Sequence, residues 1–331
     1  MSDKAKSILL LLTASLIWGV SFPLNSLALQ HIDPFGYSAL RYIFASIALT
    51  PVAMRWGRRT APASYFTSVH KYCWVWGGLL AGFILTVGNG FLFAGLSMTL
   101  SAKAGFINSL YVTMVPLVGL VLGVVPSKLV WVGLAVSVVG LGFISGLGSL
   151  ESEAFNRGDA YVLVADLFWA THIFILGYFT VRVSPWLFIF SQTVFGCVFS
   201  FVLAHITADS PTMAQFIAIW PYAVWGIFSV AGAYVCQATA QRTASPTSAA
   251  LVMQSQAIIA GISGVIILNE KLTLTMIMGA FLMVGGTIVA QLATDSTKLS
   301  PDLPHYRGWQ TVRVITAFVI LAICAFAVIQ T

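Results

Sequence analysis

Charge is what this sequence has least of. Its 16 Lys and Arg with 10 Asp and Glu make up 8% of 331 residues, against 59% hydrophobic ones. A soluble domain carries about 25% charged residues, so too few are present to cover a soluble core of this size. Cysteine is sparse as well. Cys73, Cys197, Cys236 and Cys324 form no paired motif, so neither a disulfide framework nor a metal site is indicated. No H-E-x-x-H, G-x-S-x-G, Walker or acidic-pair sequence occurs, so no enzyme chemistry, metal or cofactor is expected. Long polar stretches are missing too, which leaves nothing to build a soluble domain.

What is present in excess is apolar chain, in runs of the length a bilayer demands. A hydrocarbon core of roughly 30 Å needs about 20 apolar residues per helix, and lipid offers backbone groups no partner outside their own helix. Spans are expected near 8–29, 35–54, 73–96, 104–125, 129–148, 160–180, 185–206, 220–240, 248–268 and 273–292. A shorter eleventh candidate lies near 314–330. The short connections carry turn formers such as "HIDPFG", "VVPSK", "NRGD" and "RVSPW". The first run follows Lys4 and Lys6 as a signal peptide would. It is about 22 residues long and has no small-residue cleavage site, so a retained helix is expected.

With the N-terminus inside, Lys4, Lys6, Arg55, Arg58, Arg59, Lys71, Lys128, Arg182, Arg242, Lys298, Arg307 and Arg313 fall on inner segments. That is 12 of the 16 basic residues, against three on outer ones (Lys103, Arg157 and Lys271). The positive-inside bias predicts this split and accounts for the net charge of +6 without nucleic acid as a partner. A multi-pass protein of a bacterial inner membrane, N-terminus cytoplasmic, is therefore expected.

The chain also repeats itself. "ASLIWG" (14–19) matches "ADLFWA" (165–170), and Gly133 with Gly140 is echoed by Gly279 with Gly286 at the same spacing. Two five-helix halves follow, 8–148 and 159–292, with 293–331 as linker and candidate eleventh helix. Five is odd, so the second half enters from the opposite side. The fold class is thus all-α and membrane-embedded, ten helices in two inverted repeats, with a site expected near the midplane between them. The glycine stripes suit close helix packing, either within the chain or in a homodimer.

"IWGVSFP" in span 1, "AGFINSLYVTMVPLVGLVLG" in span 4, "RGDAYVLVADLFWATHIFILG" opening span 6 and "AYVCQATAQRTASPTSAALVMQSQAIIAGISGVIILNEKLT" across spans 8 and 9 resemble the drug/metabolite transporter superfamily, in particular its ten-helix EamA-type members. The resemblance covers about residues 8–292. It implies secondary transport of small organic metabolites, commonly amino acids and often as export, through a cavity lined by helices 1, 3, 4, 6, 8 and 9. Three features depart from the family's pattern. Gln256-Ala257 stands where a Glu-Pro is usual, Asp166 where span 6 is usually neutral, and residues 301–331 are additional.

Ionisable groups inside spans cost about 2.5 to 3.5 kcal/mol to insert and are functional candidates by default. Arg41 and Asp166 each lie about six residues into spans that enter from outside, hence at ~9 Å depth by ~1.5 Å per residue. Equal depth allows them to pair as a structural bridge; alternatively Asp166 takes up a proton or meets a cationic substrate group. His172 is a candidate proton relay or a packed core residue. Substrate-contacting candidates are Trp18 and its repeat counterpart Trp169, with Ser21, Asn25, Asn89, Asn108, Tyr111, Tyr234, Gln237 and Gln256. An aromatic cavity needs a few oriented polar groups, although many such residues simply bond across helices. Gln192 and Gln254 are also polar; Gln192 falls in a span expected to be peripheral. Pro23 and Pro116 are expected to interrupt spans 1 and 4, freeing the carbonyls of Gly19 and Val112. Asp159 and Glu270 sit at outer helix ends, Asp159 as a cap. The leading functional expectation is a secondary transporter. A membrane-embedded enzyme, a receptor or a structural protein is the alternative.

Overall fold

A computed structural model describes residues 3–57, 59, 72–121, 127–144, 155–180, 182–207, 211–244, 249 and 252–296; the candidate eleventh helix lies outside them. Among the described residues every regular element is helical, and the runs follow the expected order. The first three spans are α1 (Asp3–Ala28), α2 (Pro34–Trp56) and α3 (Cys73–Leu96). Span 4 is split into α4 (Ser101–Asn108) and α5 (Tyr111–Val121), and span 5 is α6 (Lys128–Ile144). Then come α7 (Arg157–Thr180) and α8 (Pro185–Thr207). Span 8 joins α9 (Met213–Val224), a π-helical segment (Ile227–Gly232) and α10 (Ala233–Ala240), and α11 (Ser255–Leu268) and α12 (Leu274–Ser296) complete the order. Helices α1, α2, α3, α7 and α8 are each long and apolar enough to cross a bilayer. The pair around Trp225, bent by 43°, makes a sixth such run.

Local chemistry sets these boundaries. In "HIDPFG", Asp33 accepts from the backbone N–H groups of Phe35 and Gly36 at 2.9 and 2.8 Å, and Pro34 occupies the first helical position, where no donor is needed. At the start of α7, Asn156 and Asp159 cap each other. The Asp159 N–H donates to Asn156 Oδ1 and the Asn156 N–H to Asp159 Oδ2, both at 3.0 Å. Span 1 departs from expectation because α1 runs on through Pro23 without a break. The proline still frees the Gly19 carbonyl, and Ser263 of α11 donates its hydroxyl to that oxygen at 3.1 Å. Span 4 does break, but at Ser109–Leu110, ahead of Pro116.

The packing is symmetric under exchange of each span with the one five positions later. Spans 2 and 7, 4 and 9, and 5 and 10 pack against each other, as α2 on α8, α4 on α11 and α6 on α12. Every other principal pairing has its image: α1 on α10 mirrors α7 on α3, α1 on α11 mirrors α7 on α4 and α5, and the π segment on α2 mirrors α3 on α8. The glycine stripes lie at the centre of this symmetry. A Cβ on Gly140 would stand 2.6 Å from the Gly279 carbonyl oxygen, and one on Gly279 would stand 2.6 Å from that of Gly140. Gly286 likewise faces the backbone of Gly133 and Ser137. Small residues there let α6 and α12 meet backbone to backbone, so the stripes are used within the chain.

Candidate substrate cavity

Where the two sets of spans meet, broken helices surround a cavity of ≈ 50 Å³. All ten substrate-contacting candidates line it. Trp18, Ser21 and Asn25 come from α1, Asn89 from α3, and Asn108 with Tyr111 from either side of the span 4 break. Trp169 comes from α7, Tyr234 and Gln237 from α10, and Gln256 from the first turn of α11. Arg41 and His172 line it as well.

Its aromatic wall is a three-ring arrangement. The Tyr234 ring lies 4.9 Å from that of Trp18, edge to face, and 6.2 Å from that of Trp169, nearly parallel. The repeat-related tryptophans thus flank one tyrosine. Part of the polar lining bonds across helices. Ser21 accepts from the Trp225 indole at 2.7 Å, Asn25 accepts from the Tyr37 hydroxyl at 2.9 Å, and the Asn89 amide donates to the Tyr42 hydroxyl at 2.9 Å. Other atoms are buried with no partner among the described residues: the hydroxyls of Tyr111 and Tyr234, Trp169 Nε1, Gln237 Oε1 and Arg41 Nε. Buried polar groups in folded proteins are nearly always satisfied, so this cluster is where a polar ligand or water fits.

Asp166 sits one layer behind the wall, fully buried on α7. The Asn108 amide donates to its Oδ1 at 2.6 Å, and Gln256 in turn donates to Asn108 Oδ1 at 3.2 Å. This chain joins α11, α4 and α7 through the broken span. The second carboxylate oxygen has no partner among the described residues.

The bridge that equal depth allows between Arg41 and Asp166 does not form. Equal depth is not equal direction: α2 packs on α8, α3 and the π segment, whereas α7 packs on α3, α4 and α5, and Asp166 bonds to Asn108 of α4. Arg41 instead donates from Nη2 to Ser229 Oγ at 2.8 Å, with the Tyr37 and Phe93 rings beside its guanidinium. Among the described residues the ion pair that does form is Lys103–Asp159 at 2.7 Å, both side chains almost fully buried.

The sequence pattern does not point to Ser229, and it places Gln192 in a peripheral span. Ser229 accepts from Arg41, and its carbonyl accepts from the Trp18 indole at 2.8 Å. It faces inward because the π segment shifts the helix phase, and "GIFSVAG" carries no residue that announces a π turn. Gln192 is fully buried and its Oε1 lies 2.9 Å from His172 Nε2, so its helix is not peripheral at this level. A signal was available: counting from Pro34 and Pro185, Gln192 is the repeat counterpart of Arg41.

The two ends of the cavity differ. Toward the N-terminus of α1 it is closed by a packed apolar cluster that includes Leu11, Val112, Val115, Ala170, Ile173 and Met253. Toward the C-terminus of α1, past Phe22, Leu92 and Phe93, lies a wider open recess of ≈ 370 Å³ lined by Ser26, Leu29, Gln30 and the stretch from Leu96 to Leu100.

The same repeat is recognised at family level. The sequence matches the EamA-like transporter family twice, over residues 5–146 and 156–291. The chain belongs to the EamA-like transporter family. An uncharacterized transporter of Archaeoglobus fulgidus is 25% identical over 279 residues, 84% of this chain and 83% of the relative. The Bacillus subtilis uncharacterized transporter YrdR is 24% identical over 227 residues, 63% of this chain and 67% of the relative. A solved crystal structure superposes with a TM-score of 0.60 at 17% identity, covering 89% of this chain and 99% of that one, a likeness of fold alone. This EamA-family chain is therefore a multi-pass membrane protein of transporter type.

Proposed function

We propose that this EamA-family protein is a secondary transporter that exports a small organic metabolite, an amino acid or related solute, across a bacterial inner membrane by alternating access. Residues 8–148 and 159–292 act as the two halves that rock, with the N-terminus cytoplasmic. The observation that carries the reading is the small cavity at the crossing of the broken spans, where buried polar atoms without a partner among the described residues lie beside the clustered rings of Trp18, Tyr234 and Trp169. Its unequal ends support the mechanism: an apolar seal on one side and a wide recess on the other are what one phase of an alternating cycle requires.

In this mechanism Trp18, Trp169 and Tyr234 hold the apolar body of the substrate, and the polar lining fixes its orientation. Asp166, linked to the cavity through Asn108, is the candidate for proton uptake, with His172 as an accessory group. The homodimer remains a proposal for the exposed faces, since the glycine stripes are occupied within the chain. A proteoliposome flux screen of amino acids and related metabolites, with and without a pH gradient, tests the reading. Saturable flux of at least one solute is expected. Flux of none returns the protein to the receptor, structural or enzymatic alternatives.

A further inference from the structure

Arg41 is buried in the middle of the protein yet poorly satisfied. Its guanidinium has five N–H donors. Among the described residues one of them is accepted, at Ser229 Oγ, and Nε is buried with no partner. The rings of Tyr37 and Phe93, centred 5.4 and 5.2 Å from Cζ, attract the cation but accept none of its edge donors. Among the described residues no carboxylate is within ion-pair distance of it; the ion pair that forms is Lys103–Asp159. A cation held away from water without a counter-ion is costly, and its presence in a span marks a pathway or ligand site. Arg41 is among the residues that line the cavity, so the missing anion can arrive from there.

We propose that Arg41 is the anion subsite of this transporter and that the transported molecule is an organic monocarboxylate. Its carboxylate takes the free N–H edge of Arg41 while its apolar body lies against Trp18, Tyr234 and Trp169. This rests on the transport reading and narrows it. One unopposed cation matches one negative charge, which favours a carboxylate over a doubly charged phosphate ester. The planar fork of arginine suits a carboxylate's two oxygens in a way that lysine cannot reproduce. Tyr234 lines the same cavity as Arg41 and, with its ring in the aromatic wall and its hydroxyl without a partner among the described residues, belongs to both the polar and the apolar parts of the site.

The test is a binding panel on the purified full-length protein in detergent, read by tryptophan fluorescence and by thermal stabilisation. The probes share one ring and chain: 3-phenylpropionate, 3-phenylpropanamide and 2-phenylethylamine. The acid should bind and stabilise, and the amide and amine should bind about ten-fold or more weakly, since a site built for a polar partner rejects analogues lacking it. Arg41→Gln should remove the preference for acid over amide, and Arg41→Lys should weaken the acid while keeping the preference. Amide binding as tight as acid, no binding of any probe, or a preference that survives in Arg41→Gln each overturns the assignment. Should Arg41→Gln fail to fold, the panel on the unaltered protein decides alone. Flux of a neutral solute without acid binding defeats this inference and leaves transport standing; acid binding with no flux of any solute does the reverse.

Discussion

Replacing Asp159 by Asn is expected to destabilise the fold more than any other single change of a polar group outside the cavity. Asp159 Oδ2 lies 2.7 Å from Lys103 Nζ and accepts from the Asn156 N–H at 3.0 Å, and Oδ1 accepts from the Thr99 hydroxyl at 2.8 Å. The pair ties the first turn of α4 to the first turn of α7, across the two repeats. Asparagine keeps the size and one acceptor but removes the charge, leaving a buried ammonium without its carboxylate. Loss of one partner from a buried pair costs about 3–5 kcal/mol. A lost hydrogen bond between membrane helices averages only about 0.6 kcal/mol, so the charge decides the magnitude. Equilibrium unfolding in mixed micelles with increasing denaturing detergent measures it. Adding Lys103→Met should recover at least half of the loss, because no unopposed charge then remains. A single-variant loss under about 1 kcal/mol, or a double variant no better than Asp159→Asn, would refute the argument that opposed burial of charge holds this corner together.

At the helix seam, Gly279→Val places a Cβ 2.6 Å from the Gly140 oxygen and 2.8 Å from the Ile144 nitrogen, backbone atoms that cannot rotate away. Its cost should be about 1–3 kcal/mol or more by the same unfolding assay, and wild-type stability would contradict direct contact of α6 with α12. Glu270 accepts from the Ser101 and Ala102 N–H groups at 2.7 and 2.8 Å, closing the start of α4 from the other repeat. Glu270→Ala should cost about 1–2 kcal/mol, with Glu270→Gln in between, and equal stability of all three would remove that role. If Asp166 takes up the coupled proton, Asp166→Asn abolishes pH-driven uptake in proteoliposomes; unchanged flux with unchanged pH dependence assigns the proton elsewhere.

The helical plan was legible because its signals are long: apolar runs, turn formers such as "HIDPFG", and a repeat carried by tryptophan and glycine. The cavity lining was legible for a related reason, since polar and aromatic residues on repeat-related spans have few other places to go in an apolar bundle. Direction was not legible. Depth put Arg41 level with Asp166, but which way each points depends on the helices packed around it, and no local pattern encodes those contacts. Nor does α1 obey the local rule at Pro23, because Ser263, 240 positions later, meets the Gly19 carbonyl. Lys103 and Asp159 were visible only as charges at helix ends, and their pairing is a tertiary fact.

The site depends on places where helices fail. Span 4 breaks at Ser109–Leu110, span 8 bends at Trp225 and runs through a π segment, and in span 9 a turn at Gln254 precedes α11. In lipid each break would expose backbone groups at prohibitive cost, so all three are turned inward, where side chains and a cavity can meet them. The repeat packs span 4 against span 9, and this adjacency places Asn108 beside Gln256 at the two breaks. The π segment of span 8 adds Ser229 opposite, under Arg41 and the Trp18 indole. Two of the three breaks thus fall at repeat-related positions, whereas the polar groups they carry differ between the repeats. Fold duplication explains where the cavity is, and divergence at Arg41 and Gln192, and at Ser15 and Asp166, explains why its two sides offer different chemistry. An inward cation on one side and a carboxylate one layer back on the other give the cavity a polarity that a symmetric pair of repeats would lack.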